Sequence, residues 1–342
     1  MGHGSGLPRR PCKTEIVVKR VASFDIIRAL AIIGIVLAHQ LLTEDVPSLY
    51  AVGKWFGATF SVVFLGLSAL VLGWSWVDKG RPVYGARFLL HRLSRLAVPY
   101  WLFLTIFLLT AYAQGHVFPW KDILMNYAFL GWLAKIPGIG HLWFVTMIVI
   151  CYVACVVVCH LSVTELGRRL FPWALFLACG GLYGMLYRLG LPAYMAVILF
   201  YYCLLFAFSD RVLAWLHRHG KMVFGVGIPL LALLIAGQFL SGLLTSGKEN
   251  MIVCSCSLCG IAILLLLHTA FARTAVCPRA VSSVSGISYE WFLVHHPMII
   301  GPLALTYVLP RPMAVALYWL LSLCFAFVLH YLSSFVYKLF RA

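Results

Sequence analysis

Two side chains that are common in catalysis lie in one apolar segment near the start of the chain. Arg28 and His39 belong to the stretch FDIIRALAIIGIVLAHQ, which also carries Asp25. In a helix with 3.6 residues per turn they point nearly the same way, roughly 16 Å apart along the axis. A cation and an imidazole aligned on a membrane helix are costly unless they border a cavity. The pattern favours a functional pair over the alternative, in which Arg28 reaches the lipid headgroups beside Asp25 and His39 sits at the opposite interface.

A pair of arginines precedes the third apolar segment. Arg92 and Arg95 lie in RFLLHRLSRLAVPYW, three residues apart and therefore on one face of a helix. Two neighbouring guanidiniums suit phosphate groups, because arginine donates two hydrogen bonds at once and keeps its charge. The alternative is that they only mark a cytoplasmic loop, since such loops accumulate Lys and Arg.

His141 and Trp143 open the fourth apolar segment in the sequence HLWF. They suit an aromatic belt at the membrane interface, which is the commoner use of such residues. They equally suit the wall of an extracytoplasmic pocket in which a sugar ring stacks on the indole.

The ninth apolar segment begins GISYEWFLVHHPMI and carries Tyr289, Glu290 and His295. A carboxylate inside a span is a site candidate by default, because its burial in lipid is costly. Pro297 follows His295 by two residues and predicts a kink there.

The composition is that of a membrane protein. Of the 342 residues, 63% are hydrophobic and 11% are charged, and the mean hydropathy is +0.97. A soluble domain has about 25% charged residues, so we predict an all-α, polytopic membrane protein. The eleven cysteines show no metal-ligand spacing and are expected to be small packing residues. No metal site is predicted.

Ten apolar segments are long enough, or nearly so, to cross ~30 Å of hydrocarbon as helices. Residues 1–22 form a basic N-terminal arm, and residues 23–342 are predicted to be a single membrane domain. Residues 122–134 are too short to span and are expected to form a re-entrant or surface helix on the outer side. The ten predicted spans lie near 24–43, 54–77, 95–114, 139–160, 171–188, 191–209, 222–244, 251–272, 287–309 and 313–337.

The basic residues alternate in a way that fixes the expected orientation. With the N-terminus in the cytoplasm, the inner segments hold 19 of the 26 Lys and Arg residues, and the outer segments hold 6. This positive-inside bias predicts that both termini are cytoplasmic. The net charge of +16 then reflects topology and contact with the lipid bilayer, so no nucleic-acid partner is predicted.

Taken together, these stretches resemble the acyltransferase-3 family of integral-membrane O-acyltransferases, which acylate bacterial surface polysaccharides and related glycans. The resemblance runs from Phe24 to about Tyr337, and each motif alone is weak. Its carrying elements, in the family's order, are Arg28 and His39, Arg92-Leu93-Ser94-Arg95 with Pro99-Tyr100, His141-Leu142-Trp143-Phe144, and Ser288-Tyr289 with Phe292-Leu293-Val294-His295 and Pro297.

The resemblance implies essential roles for Arg28, His39, Arg92 and Arg95. It also implies a cytoplasmic acyl-CoA donor, acetyl-CoA in the first place, with no permanently bound cofactor. The acceptor is expected to be a hydroxyl of a cell-envelope glycan, and the location a bacterial cytoplasmic (inner) membrane. The arginine pair would hold the CoA phosphates, and Arg28 would guide the donor.

His39 would act as the general base, because a neutral imidazole suits that task near neutral pH. An acyl-histidine intermediate remains an alternative. Tyr289, Glu290 and His295 would orient the acceptor or stabilise the oxyanion. With His141 and Trp143 they make up the expected substrate-binding residues.

Two features depart from the family pattern. Residues 64–69, FLGLSA, replace the Ser-Gly often found in the second helix, which predicts a different pocket shape there. The chain also stops soon after the tenth span, without the esterase-like domain of some members.

Rival functions are a transporter or flippase for a polysaccharide precursor, which typically shows two-fold repeats, and a structural or sensory membrane protein. No such repeat is obvious in the sequence. The acyl group, the acceptor glycan and the oligomeric state, a homo-oligomer included, are left open.

Overall fold

The computed structural model describes residues 22–162 and 164–339, and this part of the chain contains twelve α-helices and no β-strand. The predicted basic arm at residues 1–22 lies outside the described residues, apart from Ala22. In chain order the helices are α1 (Ala22–Leu41), α2 (Pro47–Asp78), α3 (Ala86–Ala113), α4 (Trp120–Tyr127), α5 (Trp143–Leu161), α6 (Glu165–Arg188), α7 (Tyr194–Ala207), α8 (Ser209–Leu240), α9 (Glu249–Phe271), α10 (Arg279–Gly286), α11 (Ser288–Val294) and α12 (Arg311–Leu339).

The predicted all-α polytopic fold is confirmed. Among the described residues, eight helices are long and apolar enough to cross a membrane, namely α1, α2, α3, α5, α6, α8, α9 and α12. They match eight of the ten predicted spans. The sixth predicted span is α7, an apolar helix of 14 residues.

The ninth predicted span, 287–309, is not one continuous helix, and that part of the prediction is wrong. Helix α11 ends at Val294, and 3-10 turns follow at His296–Met298 and Leu305–Tyr307. Pro297 has no N–H to continue the helix, and Gly301 adopts a φ of +98°. The kink predicted beside His295 is confirmed.

The short segment predicted at 122–134 is also too short to span. It consists of α4, which has eight residues, followed by turns. Tyr100 of α3 donates a hydrogen bond to Asn126 O at 2.8 Å, and this contact attaches α4 to the bundle.

Helix α1 lies inside the bundle and packs along α2. Ile27, Ala31 and Ile32 on α1 are completely buried. A Cβ at Gly34 would lie 2.4 Å from the ring of Phe60, so a glycine is required where these two helices approach. Because α1 is enclosed on these sides, its polar residues face other helices and cavities rather than lipid alone.

The two ends of the bundle differ in the polar groups that they carry. We call the end where α1 begins the arginine end and the end where α1 stops the histidine end. At the histidine end Arg311 pairs with Glu44 at 2.9 Å, and Lys54 forms an ion pair with Glu249. The first pair joins the start of α12 to the α1–α2 connection, and the second joins α2 to the start of α9. The starts of α9 and α12 therefore lie at the end where α1 stops and α2 begins, which agrees with the alternating directions of the predicted spans.

Candidate active site

Two adjoining cavities of about 270 Å³ and about 800 Å³ lie at the arginine end. We describe them as two lobes because several residues line both. Arg28 lines the smaller lobe, Arg95 lines the larger one, and Arg92 and Tyr289 line both. We call the two lobes together the arginine cavity. It brings together the three arginines that the sequence singled out.

Arg28 is held in place by α10. Ser285 Oγ donates a hydrogen bond to Asp25 Oδ1 at 2.9 Å. Arg28 Nη1 lies 3.4 Å from Ser285 Oγ and 3.7 Å from Asp25 Oδ1. The carboxylate and the hydroxyl therefore fix the guanidinium at the wall of the smaller lobe, and a third of its side-chain surface remains exposed there (33%).

The larger lobe is cationic. Arg92 and Arg95 lie one turn apart on α3, and Lys338 of α12 lines the same lobe. The Arg92 guanidinium also lies over the ring of Phe88, 5.7 Å from its centroid. Several cations in one concave site suit a polyanion such as a chain of phosphates.

Tyr289 and Glu290 belong to this cavity and not to the surroundings of His39. Tyr289 donates a hydrogen bond to Leu96 O at 3.2 Å, and His330 Nδ1 donates one to Glu290 Oε1 at 2.9 Å. The sequence instead predicts that both residues, with His295, orient the acceptor or stabilise its oxyanion. His330 was not a candidate, because nothing in the linear sequence links it to a carboxylate 40 residues earlier.

A second cavity of about 550 Å³ opens at the histidine end, and we call it the histidine cavity. His39, His141 and Trp143 line it together. The indole of Trp143 meets the ring of Tyr194 edge to face, with centroids 5.7 Å apart. The Lys54–Glu249 ion pair also lies in its wall, so the charges there are matched.

Four imidazoles cluster beside the histidine cavity. The His39 ring centroid lies 4.9 Å from that of His295 and 4.6 Å from that of His296. The rings of His141 and His296 stack at 4.5 Å. His296 was not among the candidate residues, although the doubled histidine before Pro297 was visible in the sequence.

Two glycines hold the loops that carry this cluster. Gly138 and Gly301 have φ values of +87° and +98°, and a Cβ at Gly301 would lie 2.3 Å from Gly138 Cα. Such a contact and such backbone angles need glycine at both positions. The approach places Gly138 O where it accepts a hydrogen bond from His296 Nδ1 at 2.7 Å.

The hydrogen bonds of His39 and His295 define which nitrogen carries the proton. His295 Nδ1 lies 3.0 Å from Trp291 O, and His39 Nδ1 lies 3.0 Å from Ile35 O. Carbonyl oxygens only accept, so both Nδ1 atoms carry hydrogen, and each neutral ring has an unprotonated Nε2. His295 Nε2 lies 3.0 Å from His39 Nδ1 and accepts from it.

This arrangement gives His39 the geometry of a general base. Its Nδ1–H is held by His295 and by its own helix, which leaves the lone pair on Nε2 available. An orienting acceptor on the far nitrogen is how catalytic imidazoles are held in the correct tautomer. Among the described residues, no group of His, Cys, Asp or Glu is arranged to hold a metal ion.

Arg28 and His39 both border cavities, but they border different ones. The sequence predicts an aligned functional pair bordering a cavity, and the structure places Arg28 on the arginine cavity and His39 on the histidine cavity. The two cavities lie at opposite ends of the face that α1 turns to the bundle.

Comparison with known proteins bears on this arrangement. A family model for an acyltransferase domain, acyltransferase-3, matches residues 21–332. No curated protein and no solved structure matches the chain. The match covers α1 to α11 and most of α12, and so includes both cavities. The chain therefore belongs to the acyltransferase-3 family and is a multi-pass membrane acyltransferase.

Proposed function

We propose that this acyltransferase moves an acyl group, acetyl in the first place, from cytoplasmic acyl-CoA to a hydroxyl of a cell-envelope glycan. The observation that carries the proposal is the pair of cavities at opposite ends of α1, one lined by Arg28 and the other by His39. The protein would lie in a bacterial cytoplasmic membrane with both termini in the cytoplasm.

The arginine cavity is the donor site. Arg92 and Arg95 hold the phosphates of CoA, since guanidiniums bind phosphate oxygens in pairs and stay charged. Arg28 lies deeper along the donor's route. The positive-inside distribution of Lys and Arg supports a cytoplasmic position for this end, where acyl-CoA is made. Tyr289 and Glu290 then act on the donor side, in place of the acceptor role that the sequence suggested.

The histidine cavity is the acceptor site. Trp143 and Tyr194 present aromatic surfaces against which the apolar face of a sugar ring packs. The only charges in the cavity wall, among the described residues, are Lys54 and Glu249, and they are paired with each other. A cavity with matched charges and aromatic walls suits a neutral, polyhydroxylated ligand better than an ion.

The transfer is a nucleophilic attack on a thioester. His39 Nε2 takes the proton of the acceptor hydroxyl while that oxygen forms a bond to the acyl carbon. The carbon–sulfur bond then breaks, and the proton passes from the imidazolium to the leaving thiolate, which departs as CoA-SH. His295 accepts from His39 Nδ1–H throughout and stabilises the ring while it is positively charged.

The experiment compares His39→Ala with His160→Ala in purified, reconstituted protein. His160 also lies on a membrane helix and also contacts the carbonyl four residues earlier, but it is exposed and lines neither cavity. Radiolabelled acetyl-CoA and a cell-envelope oligosaccharide fraction are supplied, and the acylated product is identified by mass spectrometry. We expect His160→Ala to transfer label like the parent and His39→Ala to transfer none.

Two results would contradict the proposal. One is substantial transfer by a properly folded His39→Ala protein. The other is passage of the oligosaccharide across the membrane with no added acyl mass, which would identify a transporter.

A further inference from the structure

The two cavities approach each other to within about one helical turn. On α2, Ser61 lines the histidine cavity, and Phe64, three residues later, lines the arginine cavity. On α5 the corresponding residues are Phe144 and Ile148. Three or four residues of helix amount to ~5–6 Å, so little material separates the two sites.

The third element that borders both cavities is α11. Tyr289 lines the arginine cavity, and Phe292, three residues later, lines the histidine cavity. The boundary between the two cavities therefore lies at the same level of the bundle on α2, α5 and α11. These three helices come from separate parts of the chain.

Phenyl rings fill this boundary. The rings of Phe64 and Phe144 meet edge to face with centroids 5.9 Å apart. The rings of Phe144 and Phe292 lie 4.8 Å apart. Phe144 and Phe292 are only 1% and 3% exposed, so both rings are closely packed and almost inaccessible to water.

We propose that Phe64, Phe144 and Phe292 form an aromatic septum that closes the route between the two cavities and opens to admit the acyl end of the donor. The size of these rings then limits the acyl group that reaches His39. Phe64, one of the three rings, opens the sequence FLGLSA at 64–69. That the passing group is the acyl end of the donor rests on the proposed function. That the rings separate the two cavities does not depend on it.

The positions of two of the rings make opening physically reasonable. Phe144 is the second residue of α5, a helix that directly follows a 3-10 turn, and Phe292 lies on a helix of seven residues. Residues at the ends of elements absorb backbone changes more readily than those inside long helices. The part of the donor's arm next to the thioester is an unbranched chain and needs a narrower opening than a sugar ring. The donor is therefore the substrate that crosses.

Cysteine labelling tests the closure without any assay of activity. Ser61→Cys reports on the histidine cavity and Ser68→Cys on the arginine cavity, because both serines line those cavities. A charged, membrane-impermeant thiol reagent is added to one side of vesicles in which the protein has a single orientation, and labelling above that of the parent is measured.

We expect each introduced cysteine to react only with reagent from its own side. Adding Phe144→Ala should allow both to react from either side, while Phe200→Ala should change nothing. Phe200 packs its ring against Phe176 and lines neither cavity, which makes it a matched control. Labelling from both sides without Phe144→Ala, or unchanged sidedness with it, would overturn the septum.

A second measurement tests the limit on the acyl group. The rate of transfer from hexanoyl-CoA relative to acetyl-CoA should rise at least several-fold in Phe144→Ala and stay at the parent value in Phe200→Ala. An unchanged ratio in Phe144→Ala would overturn that part of the proposal. If the parent transfers no acyl group from any acyl-CoA, the proposed function fails, and the labelling result still decides the closure.

Discussion

Replacing His295 with alanine tests whether His39 is the general base. His295 acts on His39 and need not touch the substrate. In the parent, His295 Nε2 accepts a hydrogen bond from His39 Nδ1 at 3.0 Å. The bond strengthens when His39 takes up a proton, because its donor then carries a positive charge. The substitution therefore removes an interaction that matters most in the transition state.

The structure sets the expected size of the effect. Hydrogen bonds to charged groups contribute about 1.5–3 kcal/mol. Since 1.36 kcal/mol corresponds to a tenfold change in rate, His295→Ala should lower kcat by about 10- to 150-fold. The KM values for donor and acceptor should change little, because the interaction is weaker before His39 is charged.

His295→Gln is the matched variant, because its amide oxygen can accept a hydrogen bond near the position of Nε2. It should recover a large part of the lost kcat. The assay is steady-state transfer from labelled acyl-CoA by reconstituted protein, with thermal unfolding measured to show that both variants are folded. A kcat above half the parent value in His295→Ala, or a Gln variant as slow as the Ala variant, would refute the reasoning.

Two further predictions concern binding and stability. Arg92→Gln should raise the KM for acyl-CoA at least tenfold with a smaller effect on kcat. Arg87→Gln is the control, because Arg87 is exposed on the same helix and lines neither lobe of the arginine cavity. It should leave both KM and kcat unchanged in the same assay. Gly73→Ala should destabilise the fold by about 1–3 kcal/mol, because the new Cβ would lie 2.1 Å from Phe206 O, a backbone atom that cannot move alone. Gly237→Ala, where a Cβ meets nothing within 4 Å, should be neutral or stabilising in the same thermal unfolding experiment.

The alignment of Arg28 with His39 could be predicted because it depends only on the helical period. The order of apolar and basic segments likewise predicts the long helices, since each must satisfy its backbone hydrogen bonds within itself in a bilayer. These features are local or periodic, and a single sequence contains them.

The division of the ninth segment between two cavities could not be predicted in the same way. Tyr289 and His295 are six residues apart, which is ~9 Å along a helix, so one short segment reaches from the arginine cavity to the histidine cluster. The pairing of Glu290 with His330 depends on how α12 packs against α11, and no spacing in the sequence encodes that contact. The break after Val294 was signalled by Pro297, but the position of the following turns depends on the contact between Gly138 and Gly301.

In the proposed reaction an acyl group enters at the arginine end and leaves on an acceptor at the histidine end. Sealed vesicles with the protein in one orientation test it most directly, with labelled acyl-CoA confined to the arginine side and oligosaccharide confined to the histidine side. We expect labelled oligosaccharide on the histidine side and free CoA on the arginine side. Label that appears only when both substrates share one side would contradict it.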